Sequence, residues 1–287
     1  MSDDEQLTED QRVIALEERF PNSPYSERLR FLRACKGSLS GAIVKLQAYY
    51  DWREIHGLDL PEYADARSGH DSDEQDWLLS CKKAVEHIEK VGRESPKKKS
   101  SGSTKSLNSH ALPQIVFAYT DENGLPMTSK SGRRLLHVMP SRINKKLASA
   151  ETYALALSLY LDHKQDRNKL DLFFVMLDVR PGKGWANPPA YNMMPFIKAV
   201  GNLLHQHYPE RLDKLFLYPL PRPALWIWEM VKPFLDPSVV ESAHLVAGRD
   251  TVAAPPPNHA LCNHVDEDLL ELMESTRIGN FIDRVQA

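Results

Sequence analysis

Cysteine is scarce: Cys35, Cys81 and Cys262 are the only three in 287 residues. They lie far apart, with no pair at metal-ligand or redox spacing, and the odd count points to a reducing compartment. No apolar run approaches the ~18 residues that a membrane span requires, so any membrane contact is expected to be peripheral to a cytoplasmic protein. The acidic stretch Met1 to Glu9 has the character of neither a signal nor a transit peptide. An excess of basic charge is also lacking. A formal net charge of −3 and a pI near 6.4 exclude general nucleic-acid binding, which needs a basic surface to displace counterions. There is no Gly-rich phosphate loop, no Gly-x-Ser-x-Gly elbow and no paired-His zinc helix. His205 and His207 are two apart on a predicted helix and do not share a face. His259, Cys262 and His264 lack a fourth ligand and standard zinc spacing. The expectation is therefore no enzyme, no metal and no cofactor. Asp178, at a predicted strand end, reads either as a loop-capping carboxylate or as a catalytic acid.

What is present is ordinary for a globular protein: 42% hydrophobic and 26% charged residues, enough for one large domain or two modest ones. Thr8 and Gln11 have capping-box spacing, which predicts a first helix. A second is expected after Ser23, with Pro24 at its first position and Gly37 at its end. A third is read over Ser40–Gly57 and a fourth over Trp77–Val91, with an acidic connection between them. Ser95–His110 then holds six serines and four lysines, among them Lys97, Lys98, Lys99 and Lys105, with no acidic or aromatic residue. Such a stretch buries too little to order itself and reads as a flexible linker. Its basic run could also touch anionic headgroups or serve as a nuclear import signal.

Beyond the linker the period changes. Strands are predicted at Gln114–Thr120, Arg134–Met139, Leu172–Val179, Leu215–Leu220 and His244–Ala247. Helices are predicted at Ser149–Asp162, Pro189–His207, Pro223–Leu235 and Asp266–Glu274. Strands alternating with helices indicate α/β. The organisation is thus a helical module at 1–94, a linker at 95–110 and an α/β domain at 111–287. On the central strand, alternation sets Phe173, Val175 and Leu177 on one face and Leu172, Phe174 and Met176 on the other.

Three stretches together resemble the CRAL-TRIO lipid-binding family: RFLRACKGSLSGAIVKLQAYYDWRE from Arg30, VMLDVRPG from Val175, and HYPERLDKLFLYPLPRPALWIWEMVKPFLDP from His207. The resemblance covers Ser23–Gly57 and Leu112–Gly248 and fades beyond. It implies a mixed β-sheet flanked by helices, with a lipid pocket closed by a mobile gate helix. It also implies that the protein binds one hydrophobic lipid and transfers or presents it between membranes, as a monomer meeting membrane surfaces transiently. By this resemblance the pocket is lined by Phe173, Val175, Leu177, Leu215, Leu217, Trp228 and Val231. The gate carries Trp226, Trp228, Met230 and Phe234.

Lys36 and Glu210 match two positions that contact a phosphoinositide headgroup in the family. Cys35 and Ser242 stand where the family has further basic residues, and Glu210 could instead pair with Arg211. Phe173 and Val175 stand where phosphatidylcholine-binding members carry hydroxyls, so that headgroup would lose its hydrogen bonds here. An isoprenoid or sterol-like ligand fits the apolar face at least as well. The alternative function is a protein-interaction module with a vestigial pocket; a lipid-ester hydrolase comes third.

Overall fold

Thr8 starts the first helix in the way its spacing requires. In the computed structural model, which describes residues 7–60, 72–94, 112–221 and 225–280, its hydroxyl accepts from Gln11 N and its N–H donates to Gln11 Oε1. Helix α1 spans Glu9–Arg19, α2 Tyr25–Ala34, α3 Leu39–Ile55 and α4 Asp73–Glu94. The boundaries differ from expectation by a few residues. Pro24 caps α2 instead of opening it, and the helix ends at Ala34, ahead of Gly37. Ser38, not Ser40, caps α3 by accepting from Gly41 N. Helix α4 starts before Trp77 because Asp73, Glu74 and Asp76 occupy its first turn, where carboxylates meet the positive end of the helix dipole. The linker read over Ser95–His110, most of the acidic connection, and Pro223 lie outside the described residues.

The sheet has five strands in the order β1 to β5: Val116–Ala118, Arg134–Val138, Phe173–Asp178, Leu212–Leu220 and Ala243–Ala247. β1 runs antiparallel to β2; β2, β3, β4 and β5 are mutually parallel. The protein is therefore a mixed α/β structure with an N-terminal helical part, as the alternation of elements predicts. Each parallel pair is joined through helices: α5 (Ala150–Lys164) between β2 and β3, α6 (Met194–His207) between β3 and β4, and α7 (Leu225–Val231) with α8 (Pro237–Glu241) between β4 and β5. The strands follow in spatial order, so crossovers of one hand place all these helices on one face. The opposite face is covered by α9 (Asn258–Leu261) and α10 (Glu267–Gly279), whose Leu261, Leu269, Leu270 and Met273 pack with Phe174, Met176, Phe216 and Tyr218.

A buried ionic network joins the N-terminal helices to the sheet domain. Glu27 on α2 is wholly buried. Its carboxylate accepts from the Tyr49 and Tyr50 hydroxyls at 3.0 and 2.9 Å, and from Arg167 Nε and Nη2 at 2.9 and 2.8 Å. Burial works to raise this carboxyl, but Arg167, with help from Tyr50 and Arg30, outweighs it and holds it below its ordinary value. Arg53 on α3 donates to Asp162 on α5 at 2.7 Å and to both oxygens of Asp59. Apolar core is continuous across the same junction, from Leu16, Phe31 and Leu46 to Tyr153 and Leu157.

Candidate functional site: an apolar sheet face under a short helix

Alternation along the strands builds two rows of side chains across the sheet on its helix-covered face. One row is Ala118, Leu136, Val175, Leu215 and Ala243; the other is Val116, Val138, Leu177, Leu217 and Leu245. All ten are aliphatic. Their cover is uneven. The four from β1 and β2 are buried, while Val175, Leu177, Leu215, Leu217, Ala243 and Leu245 are only half-buried. β3 and β4 are interior strands, where a close-packed layer of helices would bury such side chains fully. The β3–β5 half of the face is therefore covered less closely than the β1–β2 half.

Helix α6 forms one wall. Ile197, Val200, Leu203 and Leu204 recur at helical spacing and pack, partly buried, against the core. The crossover between β4 and β5 runs on the same side of the sheet. On α7, Trp228 and Val231 are three apart and share a face; they are 8% and 6% exposed, against 55% for Trp226 and 45% for Met230. Phe234, on the 3-10 turn Lys232–Phe234 after α7, is 40% exposed. Pro233 is the reason the single helix expected over Pro223–Leu235 is split, since a proline inside a helix removes a hydrogen bond and clashes with the preceding turn.

The foot of this short helix is held by one face of α6. Lys198 Nζ lies 3.9 Å from the centroid of the Phe234 ring. One turn on, a Cβ at Gly201 would come 2.9 Å from the Phe234 carbonyl oxygen, so only glycine permits that approach. A further turn on, His205 Nδ1 is 2.7 Å from Asp236 Oδ2. Asp236 caps α8 through its other oxygen, which accepts from Ser238 N and Oγ. His205 Nε2 faces Lys45 Nζ of α3 at 3.4 Å.

The residues predicted to line the pocket fall into two groups. Phe173, Val175, Leu177, Leu215 and Leu217 share the described sheet face, Phe173 being fully buried; Trp228 and Val231 stand on α7. Trp226, Met230 and Phe234 point outward. Sequence reasoning missed Ala243, Leu245 and the α6 residues. The i, i+3, i+7 run of Ile197, Val200 and Leu204 was the available signal.

The two residues expected at a headgroup occupy separate exposed turns, Lys36 after α2 and Glu210 after α6, each with positive φ (52° and 55°). The second turn rests on α2, where Arg30 Nη1 donates to the Pro209 carbonyl at 3.4 Å. Arg211 donates to the carbonyls of Asp166, Lys169 and Asp171 and so clamps the loop before β3, where the alternative reading had it pairing with Glu210.

Asp178 is buried at the end of β3 and accepts from Arg180 N, Nε and Nη2, the last at 2.6 Å. Arg180 Nη2 also reaches Glu274 of α10 at 2.6 Å. Burial acts to raise the Asp178 carboxyl, while His137 and Arg180 outweigh it and keep it low. His207 is buried against Trp52, with ring centroids 4.5 Å apart. His264 lies tilted against Phe216, with ring centroids 4.7 Å apart, and Cys262 Sγ donates to the His259 carbonyl. Among the described residues no group of three or more His, Cys, Asp or Glu could hold a metal ion, and no helix is long and apolar enough to cross a membrane.

A family model of the CRAL/TRIO domain matches residues 120–272. The match runs past Gly248, where the resemblance read from sequence ends, and takes in the first turn and a half of α10. A CRAL-TRIO domain-containing protein of Saccharomyces cerevisiae, YKL091C, is 23% identical over 238 residues, covering 82% of this chain and 67% of that protein. A crystal structure of Sfh5 aligns with a TM-score of 0.48 and 12% identity over 77% of this chain; the alignment spans 64% of the Sfh5 chain.

Proposed function

The chain belongs to the CRAL/TRIO domain family, a family of lipid-binding proteins, and from that premise we propose that it encloses one hydrophobic lipid and carries it between membranes. The lipid lies on the half-covered face of β3, β4 and β5, between α6 and α7. The observation that supports this is the row pattern itself: four aliphatic side chains on two interior strands and two on the edge strand beside them, left without close-packed cover. Each CH₂ moved from water to such a surface contributes ~0.8 kcal/mol, so a long hydrocarbon contributes on the order of 10 kcal/mol. An open groove leaves much of that in water. The short α7 helix is placed to complete the enclosure, and its outward Trp226, Met230 and Phe234 suit contact with a membrane interface, where tryptophan is favoured.

The role proposed is carriage without covalent chemistry, by a monomer that visits membranes from the cytoplasm. Asp178, the strand-end carboxylate an enzyme could use, is taken up by Arg180, which favours a structural role for it. A transfer assay tests the proposal. Donor vesicles carry a fluorescent apolar lipid, and acceptor vesicles carry a quencher. Transfer that rises linearly with protein concentration is expected, and transfer at the protein-free rate would refute it.

A further inference from the structure

Resting on the carrier reading above, we propose that the chain docks on bilayers with an anionic surface. It does so through a basic face built by the connections that follow β2 and β3, continuous with the foot of the α7 crossover.

The charge pattern is the first observation. Residues 139–149 lead from β2 to α5, and residues 179–198 lead from β3 into the first turn of α6. Together they hold six cations, Arg142, Lys145, Lys146, Arg180, Lys183 and Lys198, and no carboxylate. The whole chain has 39 Asp and Glu and a net charge of −3. Arg180 is buried on Asp178, but the four lysines are exposed. Lys145 Nζ donates to the Asn192 carbonyl, and Lys198 covers the Phe234 ring; neither contact neutralises the charge. Lys130, Lys164 and Lys169, in other parts of the fold, each pair with a carboxylate.

The backbone brings these cations together. β2, β3 and β4 are parallel, so the connections that follow them leave the same end of the sheet. The first two are laced to each other. The Ser141 carbonyl accepts from Asn187 N at 3.0 Å, and the Ser141 hydroxyl donates to the Val179 carbonyl at 3.2 Å. The Arg142 guanidinium lies 5.5 Å from the centre of the Trp185 ring. The face then passes onto α6, where Met194, Pro195 and Lys198 line a groove with Glu151 at the start of α5. Lys198 carries it to Phe234. The third connection, after β4, opens directly into α7, so docking at this end brings the start of α7 to the same bilayer.

Apolar side chains stand among the lysines and select the partner. Tyr191 is 63% exposed and Leu147 38%. At a bilayer interface an aromatic ring settles at headgroup level, and lysine stems lie along apolar surface with their ammonium groups on phosphates. A nucleic-acid duplex engages the lysines alone and leaves Leu147 and Tyr191 in water.

Cosedimentation of the full chain with vesicles tests the proposal. Vesicles of phosphatidylcholine alone are compared with vesicles of phosphatidylcholine and phosphatidylserine. Binding to the anionic vesicles that weakens as salt rises is expected, with little binding to the neutral ones. Each lysine near an anionic surface contributes about fivefold, so the triple variant Lys145→Gln, Lys146→Gln, Lys183→Gln should bind on the order of a hundredfold more weakly. Its melting transition serves as a check on folding. Lys169→Gln, at the opposite end of β3, should bind within about twofold of the parent because its charge lies beyond the screening distance.

Parental binding by the folded triple variant, or equal binding of the parent to neutral and anionic vesicles, would overturn the inference. Salt-sensitive binding to a DNA duplex without binding to anionic vesicles would overturn it too. Lipid transfer between neutral vesicles judges the carrier reading separately. Transfer without any preference for anionic vesicles sinks the docking face and leaves the carrier standing; selective vesicle binding without transfer does the reverse.

Discussion

His205 and Asp236 meet at 2.7 Å, and that contact fastens the foot of the α7 crossover to helix α6. Asp236 performs a second task in the same place, since its other oxygen caps α8 through Ser238. Burial acts to raise the Asp236 carboxyl, while Ser238 and His205 outweigh it and hold it below its ordinary value. Asp236→Ala removes both tasks. An N-cap substitution of this kind costs about 1 kcal/mol, and the loss here falls on a local segment. Hydrogen exchange over residues 225–241 should quicken in Asp236→Ala, and less so in His205→Ala, which leaves the cap in place. Equal protection in both variants and the parent would mean that the contact does not hold the crossover.

Trp226 and Trp228 should separate membrane contact from enclosure. Trp226 is exposed and Trp228 is buried on the adjacent face. Trp226→Ala should leave the melting temperature unchanged, because exposed substitutions away from special features stay within about ±0.5 kcal/mol, yet slow transfer between vesicles. Trp228→Ala should release bound lipid faster. Together they should slow net transfer; transfer at the parental rate would place the gate elsewhere.

Much of this site is legible in the sequence because strand alternation is a local property. Phe173, Val175 and Leu177 fall on one face whatever lies above them, and the same holds for Leu215 and Leu217. How closely that face is covered is not local. It depends on how fully α5, α6 and α7 cover each strand, so Val138 is buried while its row-mate Leu177 is not. The foot of α7 was equally hidden. Gly201, His205 and Asp236 carry no motif, and their association needs the crossover to return over α6. The break at Pro233 could have been read from proline alone, and the helix predicted across it was drawn too long.

Glu27 should be among the most sensitive positions for stability. Glu27→Ala leaves Arg167 without its bidentate partner and Tyr49 and Tyr50 without their acceptor. Removing one partner from a buried ion pair costs about 3–5 kcal/mol, to be read from denaturant midpoints of the full chain. A loss below ~1 kcal/mol would show that the network contributes little.

Acid should loosen the N-terminal helices well above the carboxylate range. Burial, and then the nearby charges of His87, His207 and Lys83, depress the His56 imidazole from 6.5 to about 3. Burial first, then Lys45, depresses His207 from 6.5 to about 4. Both are held neutral in the fold and take up protons more readily once unfolded. Their contribution is complete above pH 6.5 and is lost as pH falls from there toward the folded values. By pH 5.5 the loss should be on the order of 1 kcal/mol for each histidine. His207→Gln should flatten that slope between pH 6.5 and 5; an unchanged slope would show that His207 is not the group responsible. Glu27, also depressed, adds acid sensitivity at lower pH, beginning near its ordinary 4.5.

The central claim is that the face of Val175, Leu177, Leu215 and Leu217 holds one lipid molecule. Native mass spectrometry of the purified chain, after exposure to vesicles containing apolar lipid, tests it most directly. A single adduct of lipid mass on the folded protein is predicted, reduced in Val175→Thr. A spectrum showing only the bare chain, before and after exposure, would contradict it.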